Sequence, residues 1–161
     1  MGRIVGKVGK VAAVCFSKNK GVKKQNIKKG KLIEGFGLEG DAHGGDWHRQ
    51  ISLLAIESIR KMKDKGLDVA PGDFAENITT RGIELKSLPV GKRLYVGNRI
   101  ILEITQIGKT CHTGCAIFQQ VGQCIMPKEG IFAKVLTGGE ISVDDEISVE
   151  TEHESSERDK V

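Results

Sequence analysis

The sequence predicts a mainly β fold, a closed or nearly closed β-barrel with one or two short helices packed outside it. Three observations point there. Most apolar residues fall in short runs bounded by Gly, Pro or Asp turns. Helix-period stretches are few, and the strand-like runs lack the βαβ rhythm of a parallel sheet.

In chain order, Arg3 to Phe16 is a long strand-like mixture of apolar and polar residues. Leu54 to Gly66 is the clearest helix: Ile56, Ile59 and Met62 share a face, Lys and Arg lie elsewhere, and Gly66 supplies the stop. Pro71 to Thr80 reads as a turn leading into a strand. Arg93 to Val96 and Arg99 to Ile107 flank Gly97-Asn98, a hairpin signal in reversed order. Thr113 to Gln120 is a second, shorter helix candidate. Ile131 to Leu136, Glu140 to Val143 and Glu146 to Val149 are strands joined by Thr137-Gly138-Gly139 and Asp144-Asp145. A chain of 161 residues suits one domain, placed at residues 1–150. Residues 151–161 carry no large apolar side chain before Val161 and are expected to form a disordered polar tail.

Hydrophobic residues make up 39% and charged residues 29%, a soluble globular balance, and aromatics at 4% argue against a stacking platform for single-stranded nucleic acid. No stretch approaches the roughly 20 apolar residues of a membrane span, and no apolar leader follows Met1. The expected location is the cytoplasm, with neither membrane nor nucleic acid as partner. The net charge of +4 hides a separation. Lys18, Lys20, Lys23, Lys24, Lys28, Lys29 and Lys31 precede the first acid, Glu34, whereas the chain from Asp144 is acidic. Such a lysine run is either a solvated loop or an attractor of phosphate-bearing ligands.

Cysteine usage narrows the chemistry. Cys15 stands in an apolar run and reads as a buried core residue. Cys111, Cys115 and Cys124 fall within fourteen residues, which in a reducing compartment suggests chemistry or metal rather than stapling. Gly108-Lys109-Thr110-Cys111-His112-Thr113-Gly114-Cys115 follows a strand, and Lys109, His112 and nearby helix amides would favour a Cys111 thiolate. Three readings stay open on local chemistry. The segment is a sulfur or soft-metal handler, a zinc knot of Cys111, His112, Cys115 and Cys124, or a loop with buried thiols.

Two further segments carry polar groups. Gly40-Asp41-Ala42-His43-Gly44-Gly45-Asp46-Trp47-His48-Arg49-Gln50 gathers two histidines, an arginine and two aspartates ahead of a strand. It suits an anionic, hydrogen-bonding ligand, or else is a polar turn with capping aspartates. In Pro71-Gly72-Asp73-Phe74-Ala75-Glu76-Asn77, Glu76 and Asn77 would orient backbone or ligand.

As an ordered set, these segments resemble the MOSC family, named for the carboxy-terminal domain of molybdenum-cofactor sulfurases. The resemblance spans roughly residues 5–150. It rests on Gly40-Asp41-x-His43, Arg49-Gln50-Ile51-Ser52-Leu53-Leu54, Pro71-Gly72-Asp73-Phe74-x-Glu76-Asn77, a strand ending in Cys111, and Gly130 to Leu136 with Gly139 and Asp145. Thr110 stands where many members have proline. The resemblance implies a mostly β fold and a role in molybdenum-cofactor chemistry. Cys111 would carry sulfur or ligate the metal of a molybdenum–pterin cofactor, while His43, Arg49 and Asn77 would seat the pterin or its phosphate. It also implies a sulfur donor or molybdoenzyme as partner. No PLP site and no independent reductase activity are expected in this chain, since relatives carry these on separate domains. From a different class, a non-enzymatic, zinc-stabilised binding or adapter module built on the Cys/His cluster remains the alternative.

Overall fold

The computed structural model describes residues 5–20, 22–108 and 129–150, with backbone alone at residues 5–7. Its strands are β1 (Val5–Phe16), β2 (Gln25–Asn26), β3 (Lys29–Ile33), β4 (Gly37–Leu38), β5 (Ile51–Ala55), β6 (Ile78–Arg81), β7 (Arg93–Val96), β8 (Ile100–Ile107), β9 (Ile131–Thr137), β10 (Gly139–Ser142) and β11 (Glu146–Glu150). Helix α1 (Ile56–Asp64) and a 3-10 turn at Leu85–Ser87 complete them.

Seven strands close into a barrel in the order β1-β11-β7-β8-β9-β5-β6, with β6 returning to β1. Closure leaves no long unpaired edge in this sheet. A small sheet, β10-β3-β4, lies beside the barrel, and β2 extends the end of β1. Alternation sets the interior. Along β8, Ile100, Leu102 and Ile104 are buried while Ile101, Glu103 and Thr105 are less so, the period-2 pattern of a strand with one face inward. The barrel core joins them to Val11, Val14, Leu53, Leu94, Ala133 and Ile147.

The hairpin forms as expected: β7 and β8 pair from Val96↔Ile100 to Arg93↔Glu103, with Gly97 at φ 62° in the turn. The strands from Ile131 onward also form, although they are not neighbours. β9 lies between β5 and β8, β10 pairs with β3, and β11 joins β1 to β7. The Thr113–Gln120 helix and the 151–161 tail lie outside the described residues.

The predicted helix starts two residues late. Leu54 and Ala55 pair with Thr79 and Thr80 in a parallel ladder, so ladder hydrogen bonds claim them for β5. Strand β5, α1 and β6 therefore form one βαβ unit inside an otherwise antiparallel barrel. The apolar face is as read: Ile59 and Met62 are buried against Leu54, Val69, Phe74 and Phe132. Burying each such side chain is worth roughly 1.5–3 kcal/mol. At the end, Gly66 takes φ 97° and the Leu67 amide reaches back to the Met62 carbonyl at 3.2 Å, a glycine-turned cap.

Between β5, β6 and the end of β1 lies a buried polar layer. Asn77 is fully buried. Its Oδ1 accepts the Ser52 amide at 3.0 Å and its Nδ2 donates to the Cys15 carbonyl at 3.1 Å, bracing three strands. Cys15 is also fully buried, and burial, with the nearby Glu76 charge, pushes its thiol up. Glu76 fastens the turn before β6, its Oε2 accepting the Gly72 amide and the Thr79 hydroxyl, each at 2.8 Å. Its Oε1 is buried with no partner among the described residues. Gly72 is required here: it sits at φ 92°, and a Cβ would collide with the Lys24 carbonyl.

Burial pushes the Glu76 carboxyl up to about 7, the hydrogen bonds from Gly72 and Thr79 only partly opposing it. The folded chain thus holds this proton more tightly than the unfolded chain. Stability contributed by protonated Glu76 is complete below about 4.5, the ordinary value, and is lost as pH rises through about 7. The loss is on the order of 3 kcal/mol, at about 1.4 kcal/mol per unit. Glu76→Gln should flatten this stretch of the stability–pH curve relative to the unmodified protein, measured by denaturant unfolding from pH 4.5 to 8. An unchanged slope would contradict the assignment.

Candidate functional site

Where β1 ends and β5 begins, Lys24 turns inward. Its side chain and that of Asp41 are both fully buried, with Nζ 2.8 Å from Oδ1. An ammonium has three donors, and each finds an acceptor: Asp41 Oδ1, Ser17 Oγ at 3.1 Å and His43 Nδ1 at 3.1 Å. Asp41 also takes the Ser17 amide on Oδ1 and the His43 amide on Oδ2, each at 3.0 Å. Burial alone would raise the Asp41 carboxyl. His43 beside it, the hydrogen bond and charge of Lys24 and the Ser17 amide outweigh it and hold the group well below the usual carboxylate range. Lys24 therefore differs from the solvated lysines around it, which sequence reading could not separate.

This pair fixes His43. Because Nζ can only donate, Nδ1 accepts, and neutral His43 carries its ring proton on Nε2. The His43 carbonyl in turn accepts Trp47 Nε1 at 2.8 Å. The Trp47 ring then receives two cations: the Arg49 guanidinium carbon lies 4.7 Å from its centroid and Lys20 Nζ 5.3 Å. Arg49 also lies 5.4 Å from the centroid of Phe132, so two aromatic rings hold its guanidinium. Its Nε is buried with no hydrogen-bond partner among the described residues.

The same neighbourhood holds the exit of β8. His48 Nε2 meets Gln106 Oε1 at 2.7 Å, Gln106 Nε2 donates to the Gly108 carbonyl at 2.7 Å, and Thr105 Oγ1 donates to the His48 carbonyl. Gly108 donates its amide to the Gly130 carbonyl at 2.7 Å, pinning together the two ends of the 109–128 segment. Just before Gly130, Glu129 is held to α1 by Lys61, at 2.8 Å, and by Ser58.

Of the sequence-predicted site residues, His43 and Arg49 come together around Trp47. Asn77 sits apart from them beneath the surface, its amide committed to strand bracing. Lys109, Cys111, His112, Cys115 and Cys124 lie outside the described residues. Lys20, Lys24, Trp47 and Gln106 were not singled out as site residues. Trp47 lay inside the glycine-rich segment, and a lone aromatic between His and Arg is the signal that could have flagged it.

The donor set suits an anionic ligand with a flat ring system: a guanidinium with an orphan N–H, an exposed ammonium and an imidazole N–H beside aromatic faces. Among the described residues no cluster of three metal-ligating side chains occurs, and no helix is long and apolar enough to cross a membrane.

Similarity to known proteins fits this architecture. No curated protein sequence matches the chain. Among solved structures, the YuaD protein from Bacillus subtilis superposes with a TM-score of 0.76 at 20% identity, covering 92% of this chain and 99% of that one. YiiM from Escherichia coli gives 0.60 at 18% identity over 88% of this chain and 70% of its own. YiiM from Geobacillus stearothermophilus gives 0.64 at 17% identity, over 87% and 74%. At these identities the likeness is one of fold. A family model described as the MOSC domain matches residues 39–148, from just before Asp41 to β11 and across the Trp47–Arg49 site. The chain belongs to the MOSC domain family.

Proposed function

We infer that this MOSC domain binds a molybdenum–pterin-type cofactor, or relays sulfur to it, through the thiolate of Cys111. The observation that carries this reading is Arg49: held between Trp47 and Phe132, its Nε without a partner among the described residues, beside the strand that leads to Cys111. Cys111 follows Gly108 by three residues, at most about 11 Å of extended chain. Arg49 would hold a phosphate or pterin oxygen, His43 would donate from Nε2, and Lys20 would add charge at the rim. Asn77 would act from below by keeping β1, β5 and β6 in register. Lys109 and His112 would bias Cys111 toward thiolate.

The bound cofactor would supply a thiophilic metal centre, for which a thiolate is a fitting soft ligand. The protein's own share is to orient the ligand and keep the thiol reactive. A sulfur donor or a molybdoenzyme acceptor is the partner this chemistry needs, in a reducing compartment such as the cytoplasm. Cys15, buried and with its thiol pushed up, takes no part.

Mass spectrometry of protein purified without reductant tests the reading. A persulfide on Cys111 or a bound pterin is expected, and Cys111→Ser should fold normally while losing it. Cys115→Ser and Cys124→Ser should be milder, and alkylation at neutral pH should label Cys111 well before Cys15. Arg49→Ala should weaken pterin binding at least tenfold, since a charge-assisted hydrogen bond contributes roughly 1.5–3 kcal/mol. Zinc release and equal destabilisation in all three serine variants would instead establish the zinc module.

A further inference from the structure

A concave site lies beside α1 and plays no part in the chemistry proposed for Cys111. It is a cleft of about 420 Å³ between the start of α1, the Gly82–Lys86 turn and Glu129. Its floor is apolar: Ala55, Ile83 and Leu85 line it and are nearly fully buried. Its rim is charged, and most of those charges are already used. Glu57 accepts the Gly82 amide at 2.9 Å, and Glu129 is bonded to Lys61 and Ser58. Burial alone would raise the Glu129 carboxyl, but the bonds from Lys61 and Ser58, with the charges of Lys61 and Lys86, hold it below its ordinary value.

Glu84 and Lys86 remain. Both line the cleft and both are exposed, and among the described residues neither side chain is in a hydrogen bond or close ion pair, the Lys86 charge reaching Glu129 only through space. Two opposite charges at the edge of one apolar floor match a ligand that carries both signs on a short aliphatic body. The volume is at the small end for ligand sites, which favours a molecule of amino-acid size over a nucleotide or a pterin.

We propose that this cleft binds a small aliphatic zwitterion of the α-amino acid class. Its carboxylate faces Lys86, its ammonium faces Glu84, and its side chain covers Ala55, Ile83 and Leu85. Occupancy would also bear on Glu129, which ties the approach to β9 to α1.

Calorimetric titration of the full chain at low salt tests this with three probes: L-leucine, isovalerate, which lacks the ammonium, and isoamylamine, which lacks the carboxylate. Leucine should bind, and each truncated probe should bind at least tenfold more weakly. Lys86→Gln and Glu84→Gln, both at exposed positions, should each weaken leucine at least tenfold, with far-ultraviolet circular dichroism showing that both variants fold. Absence of leucine binding, equal binding of either truncated probe, or leucine affinity indifferent to both substitutions would overturn the proposal. None of these outcomes depends on whether Cys111 carries sulfur or cofactor.

Discussion

The three hydrogen bonds of the Lys24 ammonium hold together everything at the mouth of the barrel. Ser17 follows β1 while Asp41 and His43 lie together ahead of β5, and one buried cation joins the two stretches by donating to all three. A charge out of water is costly unless its donors are met, so this arrangement leaves little freedom to any partner. His43 inherits its tautomer from it, Trp47 is hung from the His43 carbonyl, and Arg49 is stacked on Trp47. The Lys24 backbone carries the constraint further, because its amide donates to the Gly72 carbonyl at 2.7 Å in the turn that Glu76 fastens.

The barrel supplies what the ion pair alone could not. Strand closure between β1 and β11 fixes the frame, and Asn77 locks β1, β5 and β6 where the loops depart. The side of Phe132 turned away from the interior packs under α1 and also receives Arg49. Packing that stabilises the helix therefore also positions a site residue. The bond between Gly108 and Gly130 ties the exit of β8 to the approach to β9 beside this arrangement.

Much of this was legible in the residues. Alternation along Ile100–Ile107, the Gly97 turn and the Ile59/Met62 face are local patterns, and local patterns survive folding. The β5–α1–β6 unit was not visible, because Leu54 and Ala55 satisfy both a strand and a helix period and only the ladder to Thr79 and Thr80 decides between them. At the site, Gly40-Asp41-x-His43 and Arg49 stood out as a set. Lys24 did not: it is one of seven lysines in a run, and nothing local distinguishes the one that finds a carboxylate seventeen residues away. Asn77 reads from its segment as an orienter of backbone or ligand and through the resemblance as a ligand seat, and in the fold its amide bonds between strands.

A double-mutant cycle between Lys24 and Asp41 tests the organising role of the buried pair most directly, with unfolding free energy read from denaturant titration near neutral pH. Lys24→Met and Asp41→Asn should each cost about 3–5 kcal/mol, because each leaves the other group buried without its partner. The double variant should cost less than the sum by well over 1 kcal/mol. Single costs within about 0.5 kcal/mol of zero, or strict additivity, would show that the mouth of the barrel is held by something else.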